Sequence, residues 1–257
     1  MKNKKLAHLL KYEFKNTMAN FFTPFFGIVF PILMGSFLTS TISSGVPVAQ
    51  QAQVETSIAL MVALIIPLAI MLISFPALFA QETEQGVITR MELFGFKEKE
   101  IIIAKIIVHY TIVTCALILF STVMISLHNI ITPHWSALLI YLVCYYAIAT
   151  LLFIFSYAVT MLVKKFGITF AIVMTLYFAI MIFSGMMGIQ PDELPSWGQK
   201  IAYSLPLAHM SSDFHTYWGS GFTGYNFMPI IQSFIFMTAI VAIVYLISWQ
   251  KRRRRLH

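Results

Sequence analysis

Ionisable side chains are scarce in this 257-residue chain. Lysine, arginine, aspartate and glutamate make up 11% of the residues, whereas 59% of the residues are hydrophobic. A soluble domain usually carries about 25% charged residues, so a chain this apolar cannot cover itself with a polar surface in water. The composition excludes an ordinary soluble protein and indicates one whose solvent is lipid.

Cysteine is rare in this sequence, and a nucleotide-binding motif is absent from it. The two cysteines, Cys115 and Cys144, lie within apolar stretches, where buried thiols are expected rather than a disulfide, and no paired Cys or His motif suggests a metal site. The sequence has no Gly-x-x-x-x-Gly-Lys-[Ser/Thr] phosphate loop and no polar stretch long enough for a nucleotide-binding domain. We therefore predict no catalytic residue, no metal and no cofactor in this chain, and any ATP must be hydrolysed by another polypeptide.

Long apolar stretches supply the fold prediction. A helix needs about 20 mainly apolar residues to cross a bilayer, and in hydrocarbon the backbone must satisfy its own hydrogen bonds. The sequence therefore predicts an all-α membrane protein forming one transmembrane domain over 1–257, with an amphipathic helix at 1–20, a bundle at 21–250 and a basic tail at 251–257. Six spans are predicted within the bundle, at 21–39, 57–80, 101–127, 136–163, 166–189 and 228–249.

Basic residues give the orientation. With six spans, every lysine and arginine except Lys200 falls on the side that also holds both chain ends. The positive-inside rule places that side in the cytoplasm, which predicts a multi-pass protein of the cell membrane with cytoplasmic termini. The net charge of +7 is spread along membrane edges, so anionic lipid is the expected partner rather than nucleic acid.

Two amphipathic segments are predicted on the cytoplasmic side. The first is the N-terminal helix, expected to lie in the membrane interface either as a simple anchor or as a contact for a partner. The second lies in the loop 81–100, where Gly95 would end a short helix. A solvated linker is the alternative for this loop, but exposed apolar residues favour docking into another protein's groove. The apolar residues of that short helix are Val87, Ile88, Met91 and Phe94.

The outer side and the span interiors offer further candidates. Two short apolar segments between spans five and six cannot cross the membrane, so interfacial or re-entrant helices are expected, with His209 and Asp213 as an alternative metal or proton site. Their marker residues are Trp197, Pro206, His209 and Trp218. Helix breakers and adaptable apolar side chains inside spans point to a substrate path, with ordinary helix packing as the alternative. These residues are Pro31, Phe75, Phe79, Phe183, Met186 and Met187.

A family resemblance covers nearly the whole chain. The loop reads Glu-x-Glu-x-Gly from Glu82 to Gly86, then Leu93-Phe94-Gly95-Phe96, and ends Glu100-x-x-x-Ala104-Lys105. The outer side reads Leu194-Pro195-x-Trp197 and then Leu205-Pro206-Leu207-x-His209. In this order and spacing, together with six spans and a basic tail, these motifs resemble the permeases of ABC-2 type transporters.

The resemblance implies a mechanism and partners. Two permease subunits would pair, as a homodimer or heterodimer, above two cytoplasmic ABC ATPase subunits that bind ATP and Mg²⁺. Export of a drug-like molecule or a peptide is expected; a lipid-linked glycan exporter and a non-transporting sensor or immunity protein are the alternatives. A membrane enzyme is disfavoured because the carboxylates lie almost entirely in loops. The residues expected to contact the ATPase are Glu82, Glu84, Gly86, Val87, Met91, Leu93 and Phe94.

Overall fold

Helices form almost the whole of the computed structural model, which describes residues 2–221 and 225–253. Six of these helices are long and apolar enough to cross a membrane, and the described residues contain no strand. The prediction of an all-α, six-span membrane protein is therefore confirmed. Spans 1 to 6 are Phe22–Ser43, Val48–Glu84, Glu98–Leu127, Trp135–Val163, Phe166–Phe183 and Met228–Arg253.

Two span boundaries differ from the sequence expectation by more than four residues. Span 2 begins at Val48 instead of residue 57, because its polar first turns remain helical and bury Glu55 and Thr56 against neighbouring segments. Span 5 ends at Phe183 instead of residue 189. Gly185 and Gly188 follow with φ of 78° and 90°, a left-handed conformation that glycine adopts readily and that ends a helix.

Span 2 is the central element of the bundle. Within its most apolar window 94% of the residues are buried, against 22% for each of spans 1, 5 and 6. Large aliphatic side chains occur on every face of this helix, as in a helix enclosed by protein on all sides. It contacts span 1, span 4 and span 5 along its length, so any movement of span 2 involves most of the bundle.

Spans 1 and 2 each contain a π-helical segment, Phe25–Val29 and Leu68–Ser74. A proline follows each segment within two residues, at Pro31 and Pro76. Proline has no amide hydrogen and its ring crowds the carbonyl four residues earlier, so the α-helical hydrogen-bond pattern is interrupted just before it and widens locally. The two π segments contact each other in the folded chain.

A stripe of small residues brings span 1 close to the core. At Gly27 an added Cβ would lie 2.5 Å from Ile70 Cγ1, and at Gly35 it would lie 2.9 Å from Phe120 Cε2. The absence of a side chain therefore permits span 1 to approach span 2 at the π segments, through Gly27, and to approach span 3 at Gly35. The buried members of the stripe recur every fourth residue, at Thr23, Gly27, Pro31, Gly35, Thr39 and Ser43.

The two ends of the bundle carry different short helices. The basic end holds the N-terminal helix Lys2–Ala19, the last turn of span 6 and a seven-residue helix Val87–Leu93 between spans 2 and 3, which we call the loop helix. The opposite end holds a 3₁₀ turn at Pro191–Glu193 and the helices Ser196–Ala202, Pro206–Ser212 and Phe214–Ser220. The N-terminal helix packs along span 3, and the opposite-end helices pack on spans 2, 4, 5 and 6.

Candidate functional site

A buried cluster of charges lies at the basic end. Lys105 of span 3 places its Nζ 2.8 Å from Glu13 Oε2 and 2.6 Å from Glu82 Oε2. Lys105 is 1% exposed and Glu13 is fully buried. Charges removed from water in this way persist only when they are paired at close range, so the ammonium group ties together three separate chain segments. We call Glu13, Glu82 and Lys105 the ion cluster.

The N-terminal helix is held to the bundle through this cluster. Besides the Glu13 contact, Asn16 donates a hydrogen bond from Nδ2 to Glu82 Oε1, at 2.6 Å. Leu9, Glu13 and Thr17 recur every fourth residue and form the buried face of the helix. The N-terminal helix, the end of span 2 and the start of span 3 are thereby joined directly beneath the loop helix.

The ion cluster contains more negative than positive charge when every group is ionised. Burial raises the pKa of the Glu13 carboxyl, and the nearby Glu82 carboxylate raises it further, against the opposing effect of Lys105. The Oε1 atom of Glu13 is buried without a hydrogen-bond partner. As pH falls, Glu13 therefore takes up a proton more readily than an ordinary glutamate does.

The loop helix has an inward and an outward apolar side. Ile88 and Met91 pack against a small core formed by Leu9, Ile101 and Ala104. On the other side Leu93 is 83% exposed and the following residue, Phe94, is 80% exposed. Gly95, with φ of 85°, turns the chain immediately afterwards. Leu93 and Phe94 therefore form an exposed apolar tip whose base is anchored to the N-terminal helix and span 3.

The residues expected to contact an ATPase occupy three different environments. Glu82 lies inside the ion cluster at 5% exposure, where another protein cannot reach it. Glu84 is exposed, and its Oε2 accepts a hydrogen bond of 2.8 Å from the backbone amide of Phe166 at the start of span 5. Gly86 begins the loop helix with φ of 68°. Val87 and Met91 are half-buried, which leaves Leu93 and Phe94 as the projecting residues.

A half-open groove of about 890 Å³ lies between spans 1, 2 and 5 and reaches the opposite end of the bundle. The walls of the groove towards the basic end are apolar, and span 1 contributes Phe26, Phe30 and Met34 to them. Met186 and Met187, expected on the substrate path, both line it. A volume of this size is within the range of pockets that enclose small molecules, about 300–1,000 Å³.

Four other residues expected on the path lie outside the groove lining. Phe75 stacks on Phe153 with ring centroids 4.2 Å apart, and Phe79 stacks on Tyr157 at 5.6 Å, so both belong to the buried core between spans 2 and 4. Pro31 belongs to the small-residue stripe, and Phe183 packs edge-on against Trp197. In this conformation these four side chains pack helices against one another.

The marker residues of the opposite-end helices are mostly buried. Trp197 is 62% exposed, whereas Trp218 is 7% exposed and donates a hydrogen bond of 2.8 Å from Nε1 to the carbonyl of Ile131. Pro206 is buried at the start of its helix, and His209 Nε2 lies 2.9 Å from the carbonyl of Tyr203. Among the described residues no group of three His, Cys, Asp or Glu side chains is placed to hold a metal ion.

Sequence reasoning overlooked the ion cluster as a unit. The amphipathic helix was predicted from its apolar positions, so Glu13 was not assigned to its buried face. Glu13 lies on that face, four residues after Leu9 and four before Thr17. Lys105 follows a run of apolar residues at the start of span 3. An ionisable side chain in such a segment is rare and usually paired, and this was the available signal.

These features define a multi-pass membrane protein with six spanning helices, an N-terminal helix packed along span 3 and a groove between spans. The model of the ABC-2 type transporter family matches residues 4–216. The chain therefore belongs to the ABC-2 type transporter family and is a permease of that kind, as its motifs had indicated. Searches of curated proteins and of solved structures give no match.

Proposed function

We propose that this chain is the permease subunit of an ATP-driven exporter in the cell membrane. It works as a pair of permease subunits, identical or different, with cytoplasmic ABC ATPase subunits that bind ATP and Mg²⁺. It moves a hydrophobic or amphipathic molecule, such as a drug-like compound or a peptide, out of the cell. The observation that carries this proposal is the exposed tip Leu93–Phe94 at the basic end of a chain that belongs to this transporter family.

The basic end faces the cytoplasm in this proposal. Lysines and arginines of the N-terminal helix, the loop helix region, the turn after span 4 and the end of span 6 all lie there. Cytoplasmic membrane edges are enriched in these residues, which also attract anionic lipid. The loop helix is then in the compartment that contains ATP.

The loop helix is the proposed contact with the ATPase. Its tip exposes two large apolar side chains in water, an arrangement that marks a protein interaction site when it has no local partner. Its base packs on Leu9 and Ile101 and lies next to the ion cluster. A push on Leu93 and Phe94 is therefore transmitted to the N-terminal helix and to spans 2 and 3 together, because these segments share one ammonium group.

The groove is the proposed route for substrate. Its walls come from span 2, which occupies the centre of the bundle, and from spans 1 and 5. Displacement of span 2 by the loop helix would change the width of the groove directly. The open side of the groove faces away from the protein, where a second permease subunit can complete the passage.

Copurification tests the docking role of the loop-helix tip. The tagged chain is purified in a mild detergent from its native host, and copurifying ATPase is measured by mass spectrometry and by phosphate release. Leu93→Asp is expected to abolish recovery of the ATPase, since it places a charge in an apolar contact. Val48→Asp is the matched control, because Val48 is 84% exposed but lies at the opposite end.

The outcomes separate cleanly. Loss of the ATPase with Leu93→Asp and its retention with Val48→Asp support the docking role. Equal recovery in both variants excludes the tip as the contact. A wild-type chain that yields no ATPase after chemical crosslinking in intact membranes contradicts the exporter proposal itself.

A further inference from the structure

We infer that the groove binds an amphiphile with one long apolar chain and an uncharged, hydrogen-bonding head group, with the head at the opposite end of the bundle. As a statement about transported substrate this inference rests on the proposed function, but binding itself is measurable without transport. Three properties of the groove carry it: its polarity gradient, the absence of ionised side chains from its described lining, and two polar atoms that lack partners.

Polarity changes along the length of the groove. On span 1 the lining residues run from Phe26 to Ile42, which is about 24 Å of helix at 1.5 Å per residue. The whole of this wall is apolar, and a chain extended along it would cross most of the roughly 30 Å hydrocarbon thickness. Most of the polar lining residues gather at the opposite end instead: Gln50, Gln53, Gln190, Ser211, Ser212 and His215. The long apolar wall and the polar end match the two parts of an amphiphile.

The described part of the lining contains no aspartate, glutamate, lysine or arginine. A charged head group inside the groove would lose its water without gaining an opposite charge, which is costly in an apolar setting. The carboxylate of Asp213 lies beside the lining, where it accepts a hydrogen bond of 2.9 Å from the Ser212 hydroxyl. Asp213 is exposed, so water and salt screen its attraction for a cation. The groove therefore favours a neutral head.

Two polar atoms in the groove walls have no hydrogen-bond partner. They are the hydroxyl of Tyr177, whose residue is 2% exposed, and Nδ1 of His215. Both atoms are buried and buried polar groups are nearly always paired, so a molecule with hydroxyl or amide groups would pair with them once either side chain rotates its polar atom towards the groove. Tyr177 lies six residues before the end of span 5, about 9 Å below the polar end. A head group with several hydrogen-bonding groups, such as a glycoside, suits this depth better than a compact ion.

Thiol protection tests the inference directly. A reporter cysteine is introduced by Ser57→Cys, in the groove wall, in a Cys115→Ala/Cys144→Ala background reconstituted in nanodiscs. Maleimide modification is then timed with increasing dodecyl maltoside, dodecyltrimethylammonium or dodecyl sulfate, which share one chain and differ in head group. We expect dodecyl maltoside to slow the reaction at a concentration at least about tenfold lower than either charged amphiphile, since a charge buried without a partner costs well over 1.4 kcal/mol.

Two further variants connect the preference to the groove. Gln53→Glu places a carboxylate in the lining and is expected to reverse the order, so that dodecyltrimethylammonium protects best. Gln232→Glu is the matched control, because Gln232 lines a separate pocket near span 6 at the same end and its change should leave the order intact. Tyr177→Phe is expected to weaken protection by the maltoside severalfold and not that by the charged amphiphiles.

Each outcome has a distinct meaning. Equal protection by all three amphiphiles, or no protection, overturns the inference. A change of order with Gln232→Glu as large as that with Gln53→Glu also overturns it, because the groove would not be the source of the preference. Protection without any stimulation of the copurified ATPase by dodecyl maltoside leaves the binding site established and counts against transport. ATPase recovery without protection supports the exporter and rejects this ligand class.

Discussion

Removing the ammonium group of the ion cluster should destabilise the protein more than any other single lysine change. Lys105→Met preserves much of the side-chain volume but leaves Glu13 and Glu82 facing each other in a buried site with no cation. The Asn16 amide still donates to Glu82, whereas Glu13 loses the Lys105 ammonium at 2.8 Å and is left with two unsatisfied carboxylate oxygens. We expect the N-terminal helix to detach from the bundle before the spans unfold.

The size of the effect follows from the burial of the pair. Breaking a buried ion pair by removing one partner costs about 3–5 kcal/mol. For a chain of this length each kcal/mol lowers Tm by about 2–4 °C, so the expected decrease is roughly 6–20 °C. Protonation of Glu13 would relieve part of this cost, because the carboxylates would no longer both be charged. The decrease should therefore be larger at alkaline pH than at acidic pH.

The decrease in Tm is measured by heating the fluorescently tagged protein and quantifying the protein that remains soluble by size-exclusion chromatography. Lys200→Met is the matched control, because Lys200 is exposed at the opposite end. The Tm of this variant should equal that of the wild type. The triple variant Glu13→Gln/Glu82→Gln/Lys105→Met removes every charge from the cluster and should recover most of the lost stability. A Lys105→Met protein that melts with the wild type, or a triple variant no better than the single one, would refute the pairing argument.

Three further predictions follow from other contacts. Burial raises the pKa of the Glu13 carboxyl above its ordinary 4.5, so Glu13 favours the folded state most below pH 4.5, and this stabilisation declines as pH rises through the raised pKa. Glu13→Gln should remove this decline from the dependence of Tm on pH. Gly27→Val places a side chain against Ile70 and should lower the free energy of unfolding by about 1–3 kcal/mol. Gly167→Val should lower it by less in the same thermal unfolding experiment, because no atom lies within 4 Å of the added Cβ. Glu55 accepts a hydrogen bond of 2.6 Å from the backbone amide of Asn129, so Glu55→Ala should raise the hydrogen-exchange rate of that amide, and an unchanged rate would show that the contact is not formed in solution.

The outlines of the fold were readable from local sequence. Continuous apolar runs gave all six spans, since crossing hydrocarbon demands length and hydrophobicity that few other structures share. The loop helix was equally accessible, because Gly86 and Gly95 border a short stretch of helix-forming residues and adopt positive φ at both of its ends. The end of span 5 was not, because Met186 and Met187 continue the hydrophobic pattern beyond the glycine that breaks the helix.

Side-chain partnership was decided by the tertiary structure. Phe75 and Phe79 were expected near substrate because aromatic residues suit both a pathway and a core, and only the packing of span 2 on span 4 distinguishes the two. Glu82 was expected at a docking surface because it belongs to the loop motif that resembles the ABC-2 permeases. It is buried because Lys105 and Asn16 converge on it from other segments.

The sequence by itself determined that this is a membrane protein with six spans and with both termini at one end of the bundle. It could do so because hydrophobicity and basic charge are properties of single residues. The ion cluster and the groove were decided only by the fold. Lys105 lies 92 positions from Glu13, and the groove walls come from spans 1, 2 and 5. Such sites depend on which faces of distant helices meet, and a face is chosen by packing against all of its neighbours at once rather than by the residues on one helix.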